Sequence, residues 1–189
     1  MKNLVYGKVK TRLAATIGHD KAFRIYKELI AHTRFITKEL PCTKIVFYSD
    51  YLQNEDEWGN DYFKAKQQGI DLGERMMNAF NKVINEGYLK AVIIGTDCPL
   101  LDAAIINDAF EQLSHNDIVI GPASDGGYYL LGLKKLHPEL YQNIPWSTEN
   151  VLQQTINICR KENLNYNLLQ ELSDVDDEND LQHLKTLQP

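Results

Sequence analysis

The carboxylate of Asp97 lies at a place in the sequence where α/β proteins commonly bind ligands. It follows the apolar, β-branched run Ala91–Ile94, and Pro99 comes two residues later. A run without polar alternation predicts a buried parallel strand, and a proline does not continue a ladder. Ligands of open α/β sheets bind outside the carboxyl ends of such strands. We therefore expect Asp97 to face a ligand.

Three further carboxylates follow predicted strands. Asp125 precedes two glycines, a pattern that also fits an ordinary Asp-Gly hairpin turn. Its preceding strand is expected to run parallel to that of Asp97, so that both acids share one edge. Asp174 and Asp176 alternate after the predicted last strand, which lets both side chains point to one ion. Such oxygen-rich sites suit Mg²⁺ or Mn²⁺.

Positive charge is concentrated near the N-terminus, where Lys8, Lys10 and Arg12 follow Gly7. A glycine lets backbone amides approach a ligand, and a helix that follows adds its positive end, so the segment fits a phosphate-binding loop. It lacks the Walker A pattern, so P-loop chemistry is not implied. A solvated basic stretch explains the segment equally well.

A second glycine and cation, Gly73 and Arg75, lie in the first turn of a predicted helix over 72–85. Gly73 would let the backbone approach a nucleotide. A cation in the first turn opposes the helix dipole, which favours an Arg75 that faces a ligand or pairs with a carboxylate.

Alternating helices and strands must position these residues in one α/β domain over residues 1–189. We predict helices at 19–40, 72–85, 102–113 and 151–161 and a short one ending at Leu187, with strands at 44–49, 62–68, 91–94, 117–121, 128–133 and 166–170.

Composition and charge limit the classes of protein to which this chain can belong. The 189 residues are 43% hydrophobic and 24% charged, as in globular proteins, and the net charge of −6 argues against a general nucleic-acid binder. No apolar run approaches membrane-spanning length. Three cysteines without CxxC spacing predict reduced thiols and a cytoplasmic protein.

Five motifs in order resemble a known family. They are Gly7-Lys8-x-Lys10-Thr11-Arg12, Leu72-Gly73-Glu74-Arg75-Met76, Gly95-Thr96-Asp97-x-Pro99, Pro122-Ala-x-Asp125-Gly-Gly-Tyr128 and Asp174-x-Asp176. Over nearly the whole chain the sequence resembles the DUF2064 group, bacterial glycosyltransferase-like proteins also called selenodomain-associated transferase 1. The group is similar to the 2-phospholactate and molybdenum-cofactor guanylyltransferases. The resemblance implies a GT-A fold, that of nucleotide-diphospho-sugar transferases, with three α/β/α layers and a mostly parallel sheet.

The resemblance also implies roles for these residues. Asp97, with Asp174 or Asp176, would hold Mg²⁺ or Mn²⁺ on the donor phosphates. The basic loop would neutralise phosphate charge, with Lys10 and Arg12 acting in catalysis, and Asp125 would orient the acceptor or bind a second metal ion. The expected donor-binding residues are Gly7, Lys8, Lys10, Arg12, Gly73, Arg75, Gly95 and Thr96.

Members of this family begin with a buried strand before the basic loop, and here that first strand is expected to be missing. A sheet without it would expose edges that favour a homodimer. The resemblance implies a transferase with a nucleotide-sugar donor and a small-molecule acceptor. A nucleotidyltransferase that uses a nucleoside triphosphate and a phosphorylated acceptor is the alternative, and a nucleotide-binding module without turnover is another.

Overall fold

The computed structural model describes residues 1–53 and 55–186, so the predicted helix end at Leu187 lies outside the described residues. The chain forms two compact units. The first contains Met1–Gln67, Thr96–Ala103 and the segment from Ser173, and the second contains Gln68–Gly95 and Ala104–Leu172. A single domain over 1–189 stays a prediction.

The first unit combines two α-helices with a two-stranded parallel sheet. Helix α1 is Thr11–Ile17, α2 is His19–Lys38, and a 3₁₀ helix spans Asn179–Thr186. Strands β1 (Ile45–Tyr48) and β2 (Phe63–Lys66) pair in parallel. The predictions of α2 and both strands are confirmed, whereas α1 was not predicted.

Residues 1–10 contain no strand, as the sequence predicted for this segment. Instead, the N-terminal ammonium of Met1 donates to the Phe47 carbonyl at 2.7 Å, and the Ser49 amide donates to the Met1 carbonyl at 3.0 Å. This pattern is that of a parallel bridge between Met1 and Tyr48. The first residue therefore covers part of the edge of β1.

The periodic apolar face of α2 packs into the core of the first unit. Ala22, Ile25 and Leu29 lie on this face and share a core cluster with Leu13 of α1. Val175 is fully buried in the same cluster. The burial of Val175 fixes the chain segment that carries Asp174 and Asp176.

The second unit contains a four-stranded sheet in the order β3-β5-β4-β6. Its strands are β3 (Ala91–Ile94), β4 (Ile118–Pro122), β5 (Tyr128–Leu133) and β6 (Tyr166–Leu168). Both β3 and β4 are antiparallel to β5, and β6 is parallel to β4. Three of the four strands thus point in one direction, and the strands that precede Asp97 and Asp125 run parallel to each other as expected.

The prediction for β3 itself was partly wrong. Its bounds are those expected, but its ladder with β5 is antiparallel and all four of its residues are half-buried. β3 lies at the end of the strand order, whereas β4 has a neighbour on each side and is fully buried. The apolar run predicted a strand, but neither its place at the end of the sheet nor the direction of its neighbour could be inferred from it.

Three α-helices accompany this sheet in the chain: α3 (Leu72–Asn85), α4 (Ala103–Gln112) and α5 (Val151–Lys161). They confirm the predicted helices, and a short 3₁₀ helix, Pro138–Tyr141, adds to them. Met76 and Phe80 of α3 share a core cluster with Ile120, Leu131 and Ile156.

All three cysteines are free thiols. Among the described residues, no helix combines the length and apolarity that crossing a bilayer requires.

Candidate functional site

The centre of the candidate site is the ammonium group of Lys10, which lies in the first unit. Its Nζ donates to the Val175 carbonyl at 2.6 Å and pairs with Asp97 Oδ2 at 3.1 Å and with Asp176 Oδ1 at 3.6 Å. Only 6% of the side chain is exposed. The structure therefore brings together residues from three of the motifs that the sequence singled out.

The backbone before α1 directs Lys10 into this position. Gly7 has φ +76°, in the left-handed region, and the space around its α-carbon is open, so its conformation explains the glycine. Lys10 precedes the first residue of α1 and is itself left-handed, with φ 46° and ψ 46°. Because a lysine rarely adopts this conformation, the partners of its ammonium group must compensate for the backbone strain.

Asp176 is placed by its neighbour in the sequence. Val175 is fully buried, and its amide donates to the Asp97 carbonyl at 2.9 Å. This backbone contact holds the C-terminal segment beside Asp97, which brings Asp176 to Lys10. The Val175 carbonyl was not predicted as part of the site, because backbone groups carry no signal of residue type. The only sequence signal is an apolar residue between two acids.

Arg12 completes what we call the charged cluster: Lys10, Arg12, Asp97 and Asp176. Arg12 Nη1 lies 3.5 Å from Asp176 Oδ2, and 78% of its side chain is exposed. An exposed pair of this kind contributes little to stability. The guanidinium is therefore accessible to an anionic ligand, whereas the Lys10 ammonium already has oxygen partners.

Within the charged cluster, Asp97 has a carboxylate oxygen that can still accept a hydrogen bond or bind an ion. Its side chain is 40% exposed, while its Oδ1 atom is buried and accepts no hydrogen bond from the residues that the structure describes. Burial and the charge of Asp97 raise the pKa of the Tyr26 hydroxyl, which donates to the Lys2 carbonyl at 2.8 Å. Tyr26 therefore stays neutral near the cluster.

Asp174 lies beside Cys98 in the same unit. Burial, and then the charge of Asp174, raises the pKa of the Cys98 thiol to about 12. Cys98 is therefore a protonated thiol at neutral pH and not a nucleophile. β6 ends at Leu168, earlier than the predicted end at 170, but a parallel bridge between Ala123 and Leu172 continues the pairing to two residues before Asp174.

A divalent ion at this site would be bound by carboxylate oxygens. Carboxylate oxygens are ligands that Mg²⁺ prefers, and the unused Oδ1 of Asp97 is a candidate donor. Within residues 1–53 and 55–186, however, no three or more His, Cys, Asp or Glu side chains are grouped to hold a metal ion. Lys10 Nζ contacts both Asp97 and Asp176. The residues fit the ion in kind, and the metal site stays a prediction.

The other residues of the basic loop and of the Asp97 motif have simpler surroundings. Lys8 is exposed, and Thr96 is half-buried in the first unit beside Asp97. Gly95 belongs to the second unit, where its amide donates to the Tyr129 carbonyl at 3.0 Å and so continues the β3–β5 ladder.

Asp125 belongs to the second unit, in the hairpin between β4 and β5. Its exposed carboxylate accepts a hydrogen bond from the Gly127 amide at 2.8 Å. Gly126 has φ +86°, and a Cβ atom there would lie 2.1 Å from the Glu149 carbonyl oxygen. The geometry of the hairpin turn thus explains the Asp-Gly-Gly sequence without a ligand, and the catalytic role of Asp125 stays a prediction.

Gly73 and Arg75 also belong to the second unit, in the first turn of α3. A Cβ atom at Gly73 would lie 2.2 Å from the indole Nε1 of Trp146. Close packing of this indole therefore accounts for the glycine. The side chain of Arg75 donates through Nε to the Gly69 carbonyl at 3.2 Å. The sequence pattern Asp71-x-x-Glu74 explains the helix start, because the Asp71 carboxylate accepts from the Glu74 amide at 2.8 Å.

Comparison with known proteins identifies the family. Residues 34–148 match the family described as "Uncharacterized protein conserved in bacteria (DUF2064)". This protein belongs to the DUF2064 family. No curated protein sequence matches the chain.

Two solved structures are similar to this DUF2064 protein. One comes from Desulfovibrio desulfuricans G20 and is provisionally described as a nucleotide-diphospho-sugar transferase. It has 34% identity and a TM-score of 0.88, over 94% of this chain and 80% of its own. The other is CMP:2-keto-3-deoxy-manno-octonic acid synthetase complexed with CTP. It has 10% identity and a TM-score of 0.55, over 84% of this chain and 86% of its own, so it supports the fold alone. The predicted family and mixed α/β fold of the nucleotide-diphospho-sugar transferase type are confirmed.

Proposed function

We propose that this DUF2064 protein is a transferase that binds an activated nucleotide donor through its charged cluster. The observation that carries the proposal is the contact of Lys10 Nζ with Asp97 and Asp176, at 3.1 and 3.6 Å. It unites the basic loop with two acids from distant motifs in one partly open site. The 34% identical relative from D. desulfuricans, provisionally described as a nucleotide-diphospho-sugar transferase, supports the choice of donor.

In the proposed reaction the bond between the anomeric carbon of the sugar and the phosphate oxygen breaks, and the acceptor oxygen bonds to that carbon. The acceptor hydroxyl gives up its proton to water, and a nucleoside diphosphate leaves. Negative charge builds on the leaving phosphate, so fixed cations stabilise the transition state. Arg12, with 78% of its side chain exposed, is the proposed cation for this role, together with Lys8 of the same loop.

A divalent ion, Mg²⁺ or Mn²⁺, would add further positive charge at the leaving phosphate. Asp97 is the proposed main ligand because its Oδ1 accepts no hydrogen bond from a described residue. Asp176, and Asp174 on the other side of the buried Val175, are the proposed additional ligands.

Nucleotidyl transfer is the second candidate. In that reaction the acceptor phosphate attacks the α-phosphorus of a nucleoside triphosphate, and pyrophosphate leaves. The three cations of the basic loop favour the more highly charged donor. In nucleotidyl transfer the same residues would bind the triphosphate, and pyrophosphate would be released in place of a nucleoside diphosphate.

A thermal-shift screen with nucleoside triphosphates and nucleotide-sugars, with Mg²⁺, Mn²⁺ or EDTA, tests the proposal. A ligand present at 100 times its Kd adds about 2.7 kcal/mol of stability. We expect one donor class to raise the Tm in the presence of metal, and its parent nucleoside to raise it much less. Phosphorus NMR of the products then separates nucleoside diphosphate from pyrophosphate. If no nucleotide raises the Tm, with or without metal, the proposal is wrong. Donor binding without product from any acceptor would instead indicate a nucleotide-binding module.

A further inference from the structure

The ammonium of Lys10 contacts the two carboxylates that the proposed function assigns to the metal ion. Nζ lies 3.1 Å from Asp97 Oδ2 and 3.6 Å from Asp176 Oδ1. A divalent ion bound by Asp97 Oδ1 and by Asp176 would lie close to the ammonium and would compete with it for Asp176, and the two positive charges would repel each other. Each cation therefore weakens the binding of the other to the carboxylate pair.

Burial, a hydrogen bond and the backbone conformation together hold Lys10 in this position. Only 6% of its side chain is exposed, and the Val175 carbonyl accepts a hydrogen bond from Nζ at 2.6 Å. Its backbone adopts the left-handed conformation, with φ 46°, that lysine rarely occupies. Strain at a residue with three oxygen partners indicates a specific role.

Arg12 provides the contrast within the same cluster. It pairs with the other oxygen of Asp176 at 3.5 Å but is 78% exposed. Water can therefore replace the carboxylate at Arg12, whereas loss of the Lys10 contacts leaves a buried ammonium without partners. Lys10 can leave the carboxylates only if another anion receives its charge, and donor phosphates supply such an anion.

We propose that Lys10 is an internal cation that holds Asp97 and Asp176 together until a metal–nucleotide complex binds, and that its ammonium then moves to the donor phosphates. The inference rests on the proposed function. It makes metal and nucleotide binding mutually dependent, because the metal ion repels the ammonium and the donor phosphates give the ammonium new anionic partners.

The test is the affinity for Mn²⁺ alone, measured from the electron paramagnetic resonance signal of free Mn²⁺. Lys10→Met removes the competing charge with little change in shape, and we expect it to bind Mn²⁺ about tenfold more tightly than the wild type. Arg12→Met is the matched control, with a gain of at most about twofold because an exposed pair competes weakly. Lys10→Gln provides a second uncharged variant, and circular dichroism checks that each variant is folded.

The intact protein gives a second measurement that needs no folded variant. The buried Lys10 ammonium should give a slowly exchanging proton–nitrogen NMR signal. We expect this signal to shift or disappear when Mg²⁺ and the donor from the screen are added together. Inorganic phosphate without metal should leave it unchanged.

The inference is overturned if both uncharged variants bind Mn²⁺ no more tightly than the wild type, or if the Lys10 signal is unchanged at saturating Mg²⁺ and donor. Its failure is distinguishable from failure of the proposed function, which depends on nucleotide binding by the wild type. If the wild type binds no nucleotide but Lys10→Met gains Mn²⁺ affinity, the donor proposal and the movement of Lys10 to donor phosphates both fail, and only the competition between Lys10 and the metal ion stands. If neither the wild type nor any variant binds Mn²⁺, the inference and the metal site both fail.

Discussion

Two lysine–aspartate pairs in the first unit have similar lengths and opposite surroundings. Lys10 Nζ lies 3.1 Å from Asp97, and Lys64 Nζ lies 2.9 Å from Asp56. In the first pair the lysine is buried, with 6% exposed, and the aspartate is 40% exposed. In the second pair the aspartate is buried, with 6% exposed, and the lysine is 17% exposed.

The two carboxylates differ in the number of hydrogen bonds that they accept from described residues. Asp56 accepts from the Tyr48 hydroxyl and from the Trp58 amide in addition to its pair with Lys64. Asp97 Oδ1, in contrast, accepts no hydrogen bond from any described residue. A buried acceptor without a protein partner is unusual in a folded protein, and water, an ion or a ligand can supply the partner. The comparison therefore separates a structural acid from one that is available for binding.

The largest expected effect follows from Asp97→Asn. We expect metal-dependent nucleotide binding to fall by more than about 100-fold, because even outer partners of metal ligands contribute 10- to 100-fold. Isothermal titration with the donor identified in the screen measures this. Asp56→Asn is the matched control and should bind normally. Tight, metal-dependent binding by Asp97→Asn would contradict the assignment of Asp97.

The next largest effect is a loss of stability in Asp56→Ala. Breaking a buried pair that also anchors Tyr48 should lower the free energy of unfolding by about 3 kcal/mol. In a protein of this size the Tm then falls by about 6–12 °C. Glu86→Ala, which breaks the exposed Lys82–Glu86 pair, is the control and should cost no more than about 0.5 kcal/mol. Equal losses in both variants would remove the contrast between buried and exposed pairs.

The contribution of Asp56 should also depend on pH. Burial by itself would raise the pKa of this carboxyl, but hydrogen bonds from Tyr48, Lys64 and the Trp58 amide outweigh burial and lower it. A lowered pKa gives stability that is complete above the unfolded value of about 3.9 and is lost as the pH falls through the folded value. The stability difference between wild type and Asp56→Asn should therefore shrink below about pH 4 in urea titrations. A difference that is constant from pH 7 to pH 2.5 would contradict this.

Arg12→Ala should have a moderate effect that is confined to phosphate recognition. Removing one exposed cation should weaken binding of the nucleotide donor by about tenfold, or about 1.4 kcal/mol, and leave nucleoside binding unchanged. Lys21→Ala, at an exposed position of α2 outside the charged cluster, should change neither. Equal losses for nucleotide and nucleoside would argue against a phosphate-binding loop.

The smallest effect on stability is expected for Asp125→Asn. The asparagine Oδ1 can still accept from the Gly127 amide, so the free energy of unfolding should change by less than about 0.5 kcal/mol. Donor binding should also be unchanged, whereas turnover in the product assay should fall if the charge orients the acceptor. Full turnover in this variant would assign Asp125 to the hairpin alone.

Much of the fold could be predicted because local signals define it. α3 and α5 begin and end at the predicted residues, since apolar spacing and the chain's local preferences agree there. The antiparallel ladder of β3 could not be predicted, because its direction depends on where β5 pairs. The reason for Gly73 was also hidden, since its close neighbour Trp146 is remote in the sequence.

For the site, the sequence by itself determined the residue types: a basic loop, an acid after a strand and alternating acids near the C-terminus. The tertiary structure alone decided that the Lys10 ammonium contacts the Val175 carbonyl, 165 residues away, and lies against Asp97 and Asp176. It also decided that Asp97, unlike Asp56, keeps an oxygen without a partner among the described residues. The physical reason is that charge and backbone preference act locally, whereas burial and contact depend on how the buried Val175 brings distant segments together.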